Sequence, residues 1–331
     1  MAGFLYLLEA GFAVPGVYAQ ASCKHREGEK RVSSYVDRAK WLSAHVSYSL
    51  SVLLHPRESA QAVQSHLARI QGVFPRENAN GVIFFAGNEP FMERFGYNLI
   101  WSCYAHARQC GVHVHLYEPS AEILRHLEAM KENFSDLQLS YTYEDDIDFG
   151  SLPERGMYYT AFRFVVARKI LEESKSLLVC LDADSLIMHS LHQVITNALQ
   201  RDVGLYFRLK KRRLNKKIAA FCVIFNNTKK SLAFLTFFAG LALKFQQHYP
   251  STRTHFWFDQ SALYFSYVLS KLQGRVSFYT IGKRVVDYEF SDKACIWTAK
   301  GKRKKAEVFL QESCRIRDQY AAALDAANGH S

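Results

Sequence analysis

Between residues 81 and 143, apolar runs alternate with stretches of helical spacing, and this alternation restricts the fold more than any other feature of the chain. Val82-Ile83-Phe84-Phe85-Ala86 reads as a strand. Gly87-Asn88-Glu89-Pro90 reads as a turn that opens a helix, with Asn88 as N-cap and Pro90 in the first turn. That helix is expected to run to about Gln109. Residues 112–117 predict a second strand, 120–133 a second helix and 137–143 a third strand. A β-α-β-α-β order implies a parallel sheet with right-handed crossovers. No G-x-G-x-x-G follows the first strand, which disfavours a dinucleotide-binding fingerprint.

The chemistry is concentrated further on, in Leu177-Leu178-Val179-Cys180-Leu181-Asp182-Ala183-Asp184-Ser185. The apolar half reads as a short buried strand. Asp182 and Asp184 follow at its carboxyl end, the edge where open α/β sheets bind ligands. Two close carboxylates repel, and one tends to stay protonated unless a cation sits between them. A hard divalent ion with oxygen ligands suits that position, and Mg²⁺ commonly shares its shell with phosphate. The same two residues could also simply cap the next helix. The helix expected over residues 157–173 carries Arg163 just before this strand, placed to reach a phosphate across the site.

Beyond it, residues 191–200 predict a helix, 203–209 and 218–225 strands, 229–247 an apolar-rich helix, 256–272 a helix and 276–281 a strand. Lys210-Lys211-Arg212-Arg213 with Lys216-Lys217, and the basic loop expected over 296–305, are solvated or steer anions. Glu144-Asp145-Asp146-Ile147-Asp148 reads as a solvated acidic loop. Ahead of the alternating region, residues 22–72 have helical spacing. Val32, Val36, Ala39 and Trp41 are expected on one apolar face, and Ala62, His66, Leu67 and Ile70 on another.

With 49% hydrophobic residues in 331, a sizeable core is feasible. The net charge of +11 points to anionic partners, among them nucleotides, phosphorylated glycans and anionic lipid surfaces. Seven cysteines without a C-x-x-C pair argue for reduced thiols and against a zinc module or disulfide framework. Residues 1–21 are apolar and end in Tyr18-Ala19-Gln20-Ala21, yet they lack a basic start and Glu9 interrupts them, a poor match to an export signal. Elsewhere no apolar run reaches the roughly 18 residues of a spanning helix. The expectation is a cytoplasmic protein, with peripheral contact at the inner face of a membrane open to it.

In this order the pieces resemble a family. The chain looks like a GT-A-fold, nucleotide-sugar-dependent glycosyltransferase with a DxD motif, similar in layout to the glycogenin-like and lipopolysaccharide galactosyltransferase-like enzymes. Four landmarks carry the likeness over roughly residues 81–305. They are the Arg163 helix leading into Asp182-Ala183-Asp184, the strand ending Phe225-Asn226-Asn227, the Phe258-Asp259-Gln260 helix start, and the segment from Trp297 to Lys304. The last resembles a late His-x-x-Gly-x-x-Lys segment, with Thr298 where the family has histidine. The resemblance implies an α/β fold with a Rossmann-like, mixed and mainly parallel sheet. It divides the chain into a small helical N-terminal appendage (1–80), a catalytic domain (81–310) and a helical tail (311–331).

It also implies that Asp182 and Asp184 hold Mn²⁺ or Mg²⁺ on the donor diphosphate. Ala86, Gly87 and Asn88 would line the nucleotide pocket with Arg163 and Asp182, and Lys300 and Lys304 would add positive charge. Asn226 would lie on the acceptor side. Asp259 would orient a sugar, and Gln260 would lie near the anomeric carbon of a retaining enzyme. The donor would be a nucleoside-diphosphate sugar, the acceptor a glycan, lipid-linked or protein molecule, with no nucleic-acid partner. With Thr298 for histidine, water completes the metal shell, or binding weakens, or lysines take over part of the task.

Two other classes compete. A haloacid-dehalogenase-like phosphatase would use Asp182 as nucleophile and Asp184 as acid/base, but that motif normally opens its domain, and Asp287 and Glu289 substitute poorly for its later acidic pair. A non-catalytic basic protein binding nucleic acid or membrane would use the two lysine-rich runs, although no nucleic-acid fold signature accompanies them.

Overall fold

The computed structural model describes residues 25–208, 210–211, 213–250 and 258–328. The leader-like stretch, Phe256 and Trp257 lie outside the described residues. Two helices come first, α1 (His25–Leu54) and α2 (Pro56–Leu67), then a short strand β1 (Gln71–Gly72). The alternating region gives β2 (Val82–Asn88), α3 (Tyr97–His106), β3 (Gly111–Tyr117), α4 (Ala121–Asn133), β4 (Leu139–Glu144), α5 (Arg155–Ser174) and β5 (Leu178–Asp182). Then follow β6 (Ser185–Ile187), α6 (His192–Ala198), β7 (Val203–Phe207), β8 (Ile218–Phe225), α7 (Lys229–Gln247) and α8 (Phe258–Leu272). The last elements are β9 (Phe278–Thr280), β10 (Val286–Asp287), β11 (Ile296–Thr298) and α9 (Glu307–Asn328).

Eight strands form one sheet in the order β1-β4-β3-β2-β5-β8-β7-β9. β4, β3, β2 and β5 run parallel, as the alternation predicts, while β8 is antiparallel to β5 and β1 to β4. From β2 the chain moves outward through β3 and β4, then returns by α5 to add β5 on the other side of β2. This reversal leaves a crevice at the carboxyl ends of β2 and β5, the place where such sheets bind ligands. A second, three-stranded sheet, β10-β11-β6, begins with the strand directly after Asp184.

Period-two alternation divides the core. Val82, Phe84, Leu178 and Cys180 face α5 and α7, whereas Ile83, Phe85, Val179 and Leu181 face α3 and α4. Each fully buried aliphatic or aromatic side chain in these layers contributes about 1.5–3 kcal/mol. The strand β5 is buried on both faces, which is why it reads as an unbroken apolar run rather than an alternating one.

Three local expectations change. Gly87 and Asn88 are the last residues of β2, paired with Leu116 and Tyr117, rather than a turn. The helix after them opens through a π-turn, Met92–Gly96, and α3 ends at His106. Glu144 is not part of a solvated loop. It ends β4 and is buried, 3.2 Å from His66 Nε2 and 3.6 Å from His115 Nε2, and it accepts a hydrogen bond from Tyr158. The N-terminal helices are present, but their faces differ from the expected ones. Val36 is 48% exposed and Ala39 and Ala62 are exposed, while the inward stripe of α1 is Asp37, Trp41, His45, Ser49 and Val52. His45 packs against Phe245 and stacks on Phe265, so a residue read as polar sits in the interior. The cysteines of the described residues are all free thiols. No helix among the described residues is long and apolar enough to cross a membrane.

Candidate active site

Asp182 is the last residue of β5 and registers with Ala86 of β2. Two residues beyond Cys180, it shares the sheet face that α5 covers. There Arg163, 4% exposed in the middle of α5, meets it. The guanidinium donates through Nη1 to Asp182 Oδ1 and through Nη2 to the Ala220 carbonyl at 2.8 Å, and Nη2 lies 3.9 Å from Asp259 Oδ2. Arg163 therefore joins α5, β5, β8 and the first turn of α8. It holds the carboxylates in place rather than reaching out toward a phosphate.

Asp184 follows in the turn between β5 and β6. Lys304 Nζ sits 2.6 Å from its Oδ2. The late segment reaches this point as β11 and a short 3-10 turn, Gly301–Lys305, where a loop was expected. β11 pairs antiparallel with β6, setting Thr298 opposite Ser185, and the Ala299 amide donates to the Asp184 carbonyl at 2.8 Å. Lys304 also lies over the rings of Phe91 and Phe95.

The charges of the site are unequal in kind. Burial alone would raise the Asp182 carboxyl, but the adjacent Arg163 outweighs it and holds the group below the usual carboxylate range. Burial, and then the neighbouring Asp182 charge, push Asp184 up to about 6 against the pull of Lys304. Burial likewise raises Asp259, with Arg163 opposing. The Lys300 ammonium is lowered by burial, with the three carboxylates acting against that shift. Arg208, from the end of β7, donates to the Gln260 side chain and to the Ile218 carbonyl at 3.3 Å, which fixes the Gln260 amide.

These groups border a cleft of about 1020 Å³. Ala86, Gly87 and Asn88 line one wall, Arg163, Asp182, Ala183 and Asp184 the floor, and Lys304 one end. Tyr117, the register partner of Asn88, and Tyr159 of α5 add aromatic rings to the lining. Tyr117 and Tyr159 stack with ring centres 4.8 Å apart, and Glu118 accepts from the Tyr159 hydroxyl at 3.0 Å and from Arg155 at 3.1 Å. A cationic end and aromatic rings suit a molecule with both a polyanionic and a planar part.

The fold thus gathers Ala86, Gly87, Asn88, Arg163, Asp182, Asp184 and Lys304 around one cleft. Asp259 and Gln260 lie beside it, linked through Arg163 and Arg208, and Lys300 lies over the Phe221 ring, all outside its lining. Asn226 is elsewhere, so the acceptor-side expectation fails. Because β8 runs antiparallel to β5, its end pairs with Leu178, at the far edge of the sheet from Asp182. There Asn226 donates to the Leu199 carbonyl at 3.0 Å, tying a loop. Tyr117, Glu118, Arg155, Tyr159 and Arg208 were missed. Glu118 follows the carboxyl end of a parallel strand just as Asn88 and Asp182 end theirs, so the same edge rule marks it.

The oxygen donors suit a hard cation. Asp184 Oδ1, Ser185 Oγ and Thr298 Oγ1 are buried and lack hydrogen-bond partners among the described residues. A partnerless buried carboxylate oxygen fits Mg²⁺ or Mn²⁺, ions that take few protein ligands and complete their shell with water and phosphate. No cluster of three or more His, Cys, Asp or Glu side chains able to hold a metal occurs among the described residues.

No protein-family model matches the chain, and no curated protein sequence does. Solved structures are similar to it. The galactosyltransferase LgtC, in a crystal structure with donor and acceptor sugar analogs, gives a TM-score of 0.50 at 14% identity over 71% of this chain and 95% of that chain. An active-site mutant of LgtC gives 0.51 at 12% identity over 72% and 95%. The glycosyltransferase GlyE of Streptococcus pneumoniae gives 0.49 at 11% identity, covering 75% of this chain and 64% of GlyE. What is shared with LgtC is the fold, the GT-A type of the glycosyltransferases, with its mixed, mainly parallel sheet.

Proposed function

We propose that this chain is a glycosyltransferase that moves a sugar from a nucleoside-diphosphate donor to a hydroxyl on a glycan, lipid-linked or protein acceptor. One observation carries the reading. Asp182 ends the strand at the sheet's reversal point, Asp184 follows in the next turn, and both line a cleft of about 1020 Å³ that the Lys304 ammonium also borders. The LgtC structure, which holds donor and acceptor sugar analogs on the same fold, supports it.

The residues divide the work. Asn88 and Tyr159 hold the nucleoside, with the half-buried Tyr159 ring as an aromatic face for the base. Lys304 and Lys300 stabilise the charge that develops on the departing diphosphate, where preorganised cations lower the barrier most. Asp182 and Asp184 would hold Mn²⁺ or Mg²⁺, which when bound supplies Lewis-acid neutralisation of the diphosphate. Arg163 keeps Asp182 ionised and correctly turned. Asp259 acts through Arg163, and Gln260 is presented by Arg208 toward the sugar side of the site. Exposed Lys210, Lys211, Lys302, Arg303 and Lys305 support peripheral contact with an anionic membrane surface from the cytoplasmic side.

The competing classes fare worse. Asp182, pinned by a buried arginine, is poorly placed as a phosphatase nucleophile. A concave cleft floored by carboxylates is not what a general polyanion binder needs. The test is release of nucleoside diphosphate from a panel of nucleotide sugars. Asp184→Asn should reduce turnover by roughly 100-fold or more, the scale of losing one electrostatic stabiliser. Turnover that survives Asp184→Asn unchanged would remove this site from the reaction.

A further inference from the structure

The two oxygens of Asp184 face different worlds. Oδ2 is taken by Lys304 at 2.6 Å, while Oδ1 is buried without a partner among the described residues, in the same state as Ser185 Oγ and Thr298 Oγ1. Ser185 adjoins Asp184 in sequence, and Thr298 is its register partner across β6 and β11. The carboxylate therefore has a lysine on one oxygen and no partner on the other. Lys304 is the less fixed of the pair, with its side chain 24% exposed against 7% for Asp184. It stands on the Gly301–Lys305 turn, which opens on the left-handed Gly301 at φ +62°. The rings of Phe91 and Phe95, 4.5 and 5.2 Å from its ammonium, hold it from the side away from the carboxylate oxygens as well as by the ion pair.

We propose that Lys304 is a built-in counter-ion that competes with the divalent cation for Asp184, and that the donor diphosphate relieves the competition by drawing the ammonium off the carboxylate. The inference rests on the donor reading above. An ammonium and a divalent ion on one carboxylate repel, so each excludes the other until a further anion arrives. A diphosphate is that anion, and it accepts from Lys304 and from the cation at once. Metal and diphosphate then bind with positive coupling, and the coupling is reciprocal. Without donor, the cation is held weakly and the lysine keeps Asp184 neutralised.

Mn²⁺ titration followed by the loss of the free-ion electron paramagnetic resonance signal measures this directly. In the full chain, Lys304→Met should bind Mn²⁺ roughly tenfold more tightly than the parent without nucleotide. Saturating UDP or GDP should tighten Mn²⁺ binding to the parent by a similar factor and do little for Lys304→Met. Lys304→Gln, which keeps a polar end, should behave like Lys304→Met and covers the case in which the methionine variant does not fold. If both variants bind Mn²⁺ no more tightly than the parent, or if no form binds it, the competition is refuted. The donor reading is judged separately, by whether UDP or GDP binds the parent at all. A parent that ignores both nucleotides while the variants gain Mn²⁺ affinity would sink that reading and leave the competition standing.

Discussion

Arg163 brings a buried guanidinium to the sheet's edge, where Asp182, the Ala220 carbonyl and Asp259 share it. Removing Arg163 leaves Asp259 and the Ala220 carbonyl buried without their partner, while Asp182, 31% exposed in the cleft, keeps water, which together costs about 1–3 kcal/mol. Arg163→Met should therefore lower the stability of the protein by that amount in urea denaturation and also weaken nucleotide binding. Arg163→Lys should rescue little, because one ammonium cannot reproduce a fork that reaches three oxygens. A methionine variant of parental stability would show that Asp259 and the Ala220 carbonyl are not left without a partner. The residue itself was visible in the sequence, as an arginine on the helix before Asp182-Ala183-Asp184. Its direction was not. Only the return of α5 across the sheet decides that it faces a carboxylate and a strand carbonyl. Asn226 went wrong for a related reason: a strand's apolar pattern is the same whichever way it runs, and β8 runs backward.

At the scale of elements, α2 is tied to the sheet by polar contacts inside the core. His66 from α2 and His115 from β3 flank Glu144 at the end of β4, with the Tyr158 hydroxyl of α5 donating to it. Burial alone would push the Glu144 carboxyl up, but the adjacent His115 and His66 rings outweigh it and hold the group well below its ordinary 4.5. A depressed folded-state value means the unfolded chain takes up the proton first. The contribution is thus fully present above about pH 4.5 and is lost as the pH falls below that. The parent should lose more stability between about pH 6 and about pH 3.5 than Glu144→Gln does, and at neutral pH Glu144→Gln should cost about 3 kcal/mol. Parallel pH curves would show that Glu144 does not titrate as described. A second joint lies where the loop into α5 crosses the end of α7. Gly150 has φ +58°, and a Cβ there would meet the Gln246 carbonyl oxygen at 2.3 Å. Gly150→Ala should cost about 1–3 kcal/mol, read as a lower denaturation midpoint. The parallel strands and α7 were legible because their periods are clean over many residues. The inward stripe of α1 was not, because it places Asp37, His45 and Ser49 where hydrophobicity alone expects Val36 and Ala39.

For the whole molecule the question is whether residues 1–70 are an accessory or part of the one core. Hydropathy sets them apart, since they precede the alternating region and carry no chemical motif. The packing argues otherwise. Trp41, Val63 and Leu67 belong to the same buried cluster as Phe84, Phe162, Phe238 and Phe258, and Val52 is buried as well. At about 1.5–3 kcal/mol for each such side chain, these four alone are worth roughly 6–12 kcal/mol, as much as the roughly 5–15 kcal/mol by which a typical domain is stable. Cutting at residue 70 would also strip His66 from Glu144 and bare the face of α7 against which α1 and α2 pack. A chain beginning at residue 71 should keep far-ultraviolet helix signal, lose near-ultraviolet tyrosine and tryptophan signal, bind a hydrophobic dye and unfold without a sharp transition. It should also bind no nucleotide, because α5, which carries Arg163 into the cleft, packs against α2 and α7. A cooperative transition with nucleotide binding intact in that shortened chain would establish the first two helices as a separable accessory, and with it a division of the molecule at residue 80.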